Sequence, residues 1–187
     1  MTRAACTTPA STQALLAYWL GELEESQENR LEEHLFACAA CSERLRTVVE
    51  LGAAVRNELL RGDFGFVLPP AFIRRLKDAG LRVREYDLEP GASVNCTVTP
   101  DDDLVVAHMR APLRDVRRLD LLIQDSVAGS MRANDVAFDP AADGVTMVPS
   151  VAFLRTLEHA QQRVRLVAVE GVDERVIADY TFNHYPS

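Results

Sequence analysis

Glu33-His34-Leu35-Phe36-Ala37-Cys38-Ala39-Ala40-Cys41-Ser42 is the stretch around which this chain is organised. Its pattern is His-x3-Cys-x2-Cys. On a continuous helix, offsets of 0, 4 and 7 residues fall at about 0°, 40° and −20°, so all three side chains share one face. A turn at Ala39-Ala40 serves equally well, because Cys-x2-Cys is the usual knuckle spacing. Zinc takes four tetrahedral ligands, and thiolate and imidazole both suit it. Cys6 is the only other Cys or His before residue 96 and lies 28 residues before His34, room for one helix and its return. With Cys6 the site is Cys3His, closed and structural. Without it a fourth position is open to water and to catalysis. A redox dithiol, an iron–sulfur centre, or unmetallated cysteines packed as small hydrophobes are the alternatives. The three aligned side chains favour zinc.

Outward from this stretch the pattern is helical. Ser11 or Thr12 can cap a helix carrying Leu15, Leu16, Trp19, Leu20 and Leu23, weakened by Gly21. Ser26 is the next N-cap candidate, with Leu31, His34, Leu35 and Cys38 on one face. A third run, from about Ser42 to Leu60, carries Leu45, Val48, Val49, Gly52, Val55 and Leu59. Arg61 to Pro70 is rich in breakers and reads as a linker. Pro70 can open a short helix to Asp78, which Gly80 ends, with Phe72, Ile73 and Leu76 as its stripe.

From Leu81 the period changes to two. Leu81–Leu88, Val94–Val98, Leu104–Met109, Arg117–Ile123, Gly144–Val148, Arg163–Val169 and Val176–Phe182 read as strands. A helical turn is expected at Val151–Gln161. The chain is thus read as α+β: a helical zinc-binding module over 1–62, a linker and fourth helix over 63–80, and an antiparallel β-sandwich or barrel over 81–187. Alone, the helical module buries a thin core, the situation in which small domains add a metal.

Composition narrows the function classes. The 187 residues are 48% apolar and 26% charged, with 20 basic and 28 acidic side chains and a net charge of −8. So acidic a chain is a poor fit to phosphate backbones and a better one to a basic protein surface. No apolar run reaches the 18 or so residues of a membrane span. The first residues lack the apolar segment of a secretory signal, and Ala4-Ala5-Cys6 without one is not a lipoprotein site, so a cytoplasmic location is expected. There is no Gly-rich phosphate loop, no Gly-x-Ser-x-Gly elbow and no His-Glu-x2-His. The zinc deaminase pattern fails too, since His34 lacks a Glu two residues on.

Residues 1–79 resemble the zinc-containing anti-sigma factors of bacteria. The resemblance rests on His34-x3-Cys38-x2-Cys41 in a short helical module, on Cys6 upstream, and on the separate helix Pro70–Asp78. It implies a soluble, non-enzymatic regulator of transcription in a stress response. In that family three helices surround zinc, held here by Cys6, His34, Cys38 and Cys41, and a fourth helix reaches the partner. The partner implied is a sigma factor of the extracytoplasmic-function group, bound so that its RNA-polymerase surfaces are hidden until a signal releases it. Neither nucleic acid nor membrane is contacted directly. Candidate partner contacts are Leu16, Trp19 and Leu20 on the first helix and Phe72, Ile73 and Leu76 on the fourth.

Some family members release sigma on oxidation of the zinc thiolates. Arg44 and Arg46 would favour reactive thiolates here, but Glu33 and Glu43 flank the pair as well. A soluble subgroup carries a cupin metal site in its β-domain, and this chain departs from it: His108, His159 and His184 are isolated. Cys96 is expected to be buried and inert. Asp101-Asp102-Asp103 reads as a solvated hairpin turn rather than a calcium site. Two other classes remain open: a zinc-dependent enzyme with an open metal position, and a β-sandwich ligand-binding protein with a helical docking module.

Overall fold

The computed structural model describes residues 6–62, 65–157 and 159–185. The readings made on Met1–Ala5, on Asp63 and Phe64 of the linker, and on Glu158 of the expected helical turn lie outside them. The chain divides into two compact units, 1–57 and 58–187.

The first unit is helical: α1 (Thr12–Leu20), α2 (Glu25–Ala37) and most of α3 (Ala39–Arg61). Ser11 caps α1 by accepting the Ala14 N–H at 3.0 Å. Gly21, expected to weaken this helix, instead ends it. At φ 70° it is left-handed, and it and Glu22 donate backward to Tyr18 and Ala17. The second helix starts earlier than expected. Glu24, not Ser26, is its N-cap, in a reciprocal capping box with Gln27. Tyr18 Oη donates to Glu32 at 2.9 Å and ties α1 to α2. The Trp19 ring lies directly over Gly52, where a Cβ would sit 2.1 Å from the ring. Among the described residues of this unit the buried apolar side chains are Leu15, Leu20 and Cys41, and α2 buries none.

The second unit holds β1 (Phe66–Val67), α4 (Pro70–Asp78), β2 (Val83–Leu88), β3 (Ser93–Cys96), β4 (Leu104–Arg110), β5 (Leu119–Asp125), β6 (Gly129–Ala133), β7 (Gly144–Val148), α5 (Val151–Leu154), β8 (Gln161–Glu170) and β9 (Asp173–His184). One sheet has the order β1-β7-β4-β2, the other β3-β9-β8-β5-β6. Met109, Leu119, Val164, Leu166 and Tyr180, none more than 1% exposed, lie in the core to which both sheets contribute. The α+β reading holds, with open sheets rather than a barrel.

Two pairings depart from the antiparallel expectation: β2–β4 and β3–β9 are parallel. The cause is a double crossing. After β2 the chain turns at Gly91, lays β3 on the other sheet, and returns as β4 beside β2. The aspartate run therefore closes a crossover and not a hairpin. Asp102 is buried and accepts from Thr99 N (2.7 Å), Thr99 Oγ1 (2.9 Å) and Arg84 Nε (2.8 Å), while Asp103 holds Arg82. The Gly-Ser-Met-Arg-Ala strand β6 was not anticipated, because its side chains are mostly exposed and show no apolar alternation. Helix α5 is a single turn rather than a run to Gln161.

Asp120 is wholly buried on β5. It accepts from Arg132 (2.7 Å), the Asp135 N–H (2.9 Å) and Arg118 (3.3 Å). Burial pushes its carboxyl up, but these donors outweigh it and hold the group below the usual carboxylate range.

Candidate metal centre

Three segments bring four donors together. Cys6 precedes α1, His34 stands in the last turn of α2, Cys38 separates α2 from α3, and Cys41 opens α3. The helix does not run through the motif. At Cys38 the backbone is extended (φ −125°, ψ 96°), and its carbonyl accepts the N–H groups of Cys41 and Ser42, both at 3.1 Å. Cys38 thus ends one helix and begins the next. This corner, not the Ala39-Ala40 turn or an unbroken helix, turns both thiols toward His34. Ser42 Oγ fastens it by donating its proton to the Leu35 carbonyl (2.6 Å), with the Cys38 carbonyl also in reach at 3.2 Å.

One ligand atom from each of Cys6, His34, Cys38 and Cys41 lies within 4.8 Å of the others. Cys6 Sγ is 3.6 Å from His34 Nε2, His34 Nε2 is 3.2 Å from Cys41 Sγ, and the Cys41 and Cys6 sulfurs are 3.9 Å apart. Zinc bonds of about 2.3 Å to sulfur and 2.0–2.1 Å to nitrogen span tetrahedral edges of about 3.8 Å (S···S) and 3.6 Å (S···N). These three separations lie within about 0.4 Å of those edges and Cys38 Sγ is within 4.8 Å of the other donors, so the residues fit zinc. Bound there, the ion supplies a closed crosslink between the N-terminal segment, α2 and α3.

The local field favours thiolate unevenly. The Cys41 N–H lowers the pKa of the Cys38 thiol, helped by the neighbouring thiols and the Ala40 N–H at the start of α3. Burial first, and then the Cys38 thiol, raise that of Cys6. The two arginines that sequence places near the thiols have other tasks. Arg44 donates to the Ala10 carbonyl and to Thr12 Oγ1 (3.2 Å), anchoring the segment that follows Cys6. Arg46 pairs with Glu43 and Glu50 along α3. Arg44 as an anchor of this segment had no signal in the sequence, because the contact spans 34 residues.

The expected partner contacts fall in different surroundings. Leu16 is 41% exposed, Trp19 is half-buried on Gly52, and Leu20 is buried. Phe72, Ile73 and Leu76 are all buried in the second unit, so α4 presents no free apolar stripe there. The most exposed apolar ring of the first unit is Phe36, at 90%, inside the motif itself and unremarked in the sequence. His108, His159 and His184 are not members of the four-donor cluster. His108 bonds Thr146 and Asp143, His159 meets Tyr185 edge-on, and His184 is buried. Among the described residues no helix is long and apolar enough to cross a membrane.

Residues 10–42 match a family described as "Putative zinc-finger". The match contains His34, Cys38 and Cys41 and stops short of Cys6, which the geometry adds. No curated protein sequence matches the chain. Among solved structures the chain is similar to the N-terminal domain of phage TP901-1 ORF48, with a TM-score of 0.36 and 12% identity, covering 57% of this chain and 99% of that one.

Proposed function

We propose that this protein is an anti-sigma factor. Its first unit binds a sigma factor of the extracytoplasmic-function group and hides the surfaces that factor needs for RNA polymerase. Inhibition is by burial, not catalysis. The observation that carries this reading is the four-donor cluster at the α2–α3 corner, inside a module matched by a zinc-finger family typical of anti-sigma factors. Cys6, His34, Cys38 and Cys41 act as a closed structural zinc site, which leaves no position for a reacting water and argues against a zinc enzyme.

The docking face is built around exposed Leu16 and half-buried Trp19, with exposed Phe36 added beside the metal corner. An acidic, helical surface of this kind suits the basic surface of a sigma factor by helix-in-groove packing. Leu20, Phe72, Ile73 and Leu76 serve their own units unless binding draws α4 out. The protein works in the cytoplasm.

The test is purification of tagged full-length protein from its native host under reducing conditions, with mass spectrometry of what accompanies it. A stoichiometric sigma factor is expected, and Leu16→Asp with Phe36→Asp should release it while zinc stays bound. Zinc-bound protein that recovers no sigma factor would overturn the reading.

A further inference from the structure

In the second unit the two sheets part at one end. The inward row of β5 starts fully buried at Leu119 and Leu121 and emerges at Ile123 and Asp125, both half-exposed. Beyond it β6 is almost wholly exposed. The space left between Val67 and Met147 on one sheet, Leu121 and Ala133 on the other, and Phe153 of α5 is a cavity of about 710 Å³. Protein interiors hold few voids larger than a water, whereas small-molecule sites run to about 300–1,000 Å³.

Its chemistry is selective. The walls are mainly apolar, and among the described lining residues there is no cation. The charge present is the Asp125 carboxylate, already engaged by the N–H groups of Val127 (2.7 Å) and Ala128 (2.9 Å) and by Gln162 Nε2 (3.3 Å). Gln162 lines the same cavity and is only 7% exposed. Its amide nitrogen must face the carboxylate, because a carboxylate only accepts. The amide oxygen is then left to accept from something else.

We propose that this cavity is a binding site for an uncharged, mainly apolar small molecule whose polar end donates a hydrogen bond to the Gln162 amide oxygen. A carboxylate head group is disfavoured, since it would meet Asp125 with no cation beside it. The site lies wholly within residues 58–187, so it does not depend on the sigma-factor reading.

The probe is N-phenyl-1-naphthylamine, a neutral fluorophore, titrated into zinc-loaded full-length protein. Saturable binding tighter than about 10 µM is expected. At pH 8, 1-dodecanol should displace it about tenfold better than dodecanoate, because burying an unpaired charge is costly. Ala133→Phe fills the cavity from β6 and should abolish binding, with the thermal midpoint showing that the fold survives. Should that variant fail to fold, Val136→Trp blocks the cavity from the β6–β7 connection and must do the same. Gln162→Leu should keep the fluorophore but weaken displacement by 1-dodecanol severalfold, while dodecanoate stays excluded by Asp125. No saturable binding, or equal binding in the filled variants, would overturn the proposal.

Discussion

Residues 6–57 and residues 58–187 solve the same problem by different means. Among the described residues the first unit buries Leu15, Leu20 and Cys41, and one of those three is a metal donor. The second buries a continuous apolar core from Leu88 to Phe182. Burial contributes roughly 25 cal/mol per Å² of apolar surface, so three small contacts cannot offset the ordering of some fifty residues. A zinc crosslink at the Cys6–His34–Cys38–Cys41 cluster would add about 10–16 kcal/mol to what the half-buried helix contacts supply. The lesson is that a helical module this thin has its fold and its metal site in the same four residues. The sandwich, by contrast, can leave an end open around a cavity because its core is sufficient elsewhere.

That contrast breaks most sharply at the metal. Cys38→Ala or Cys41→Ala should abolish zinc binding, removing a contribution of about 10–16 kcal/mol, and the helical circular dichroism of the first unit should collapse. Cys6→Ala sharpens the point: a closed site should lose zinc affinity by more than about 100-fold, beyond the effect of losing an outer hydrogen bond. Retention of tight zinc by this variant would show a three-ligand site.

In the sandwich the largest single loss should come from Asp120→Ala. The Asp135 N–H would then lose its buried acceptor and Arg118 its partner, while Arg132 keeps Glu174, at a cost of about 3 kcal/mol in denaturant unfolding. Zinc content should not change. Gly144→Ala comes next, at about 1–3 kcal/mol, because its Cβ would sit 2.2 Å from the Met109 carbonyl where β7 crosses β4. Gly52→Ala is its counterpart in the first unit. There the obstacle is the Trp19 ring, so near-ultraviolet circular dichroism should change while zinc stays bound.

The smallest effect is in pH. Burial pushes the Cys96 thiol up from 9.0 to about 11, so the folded unit holds a proton that the unfolded chain releases. Stability present below pH 9 should fall by up to about 2 kcal/mol as pH rises toward 11. Burial pushes His184 down, against the opposing charge of Asp125. The unfolded chain then binds the proton more readily, and stability should decline as pH drops below about 6.5. Thermal midpoints of Cys96→Ala and His184→Gln across this range separate the two.

How much of this was legible depended on distance along the chain. His34, Cys38 and Cys41 sit within one motif, so spacing alone revealed three donors. Cys6 followed from the scarcity of other candidates. The corner at Cys38 was not readable, since the same spacing suits a helix or a knuckle. The alternation from Leu81 onward gave most strands, but not the parallel β2–β4 and β3–β9 pairs, which arise from a crossover and not from any local pattern. The stripe Phe72, Ile73 and Leu76 was read correctly as apolar. Its destination inside the second unit could not be read from one helix, and exposed Phe36 was invisible because a ring in an apolar run looks like core.

The most direct test of the metal-dependent first unit is hydrogen exchange by mass spectrometry on the zinc-loaded full-length protein, before and after chelation. The account predicts that amides of α1, α2 and the start of α3 lose protection once zinc is removed, while those of β4, β5, β8 and β9 keep theirs. Protection retained in the helices after complete removal of zinc, or lost equally in the sandwich, would contradict it.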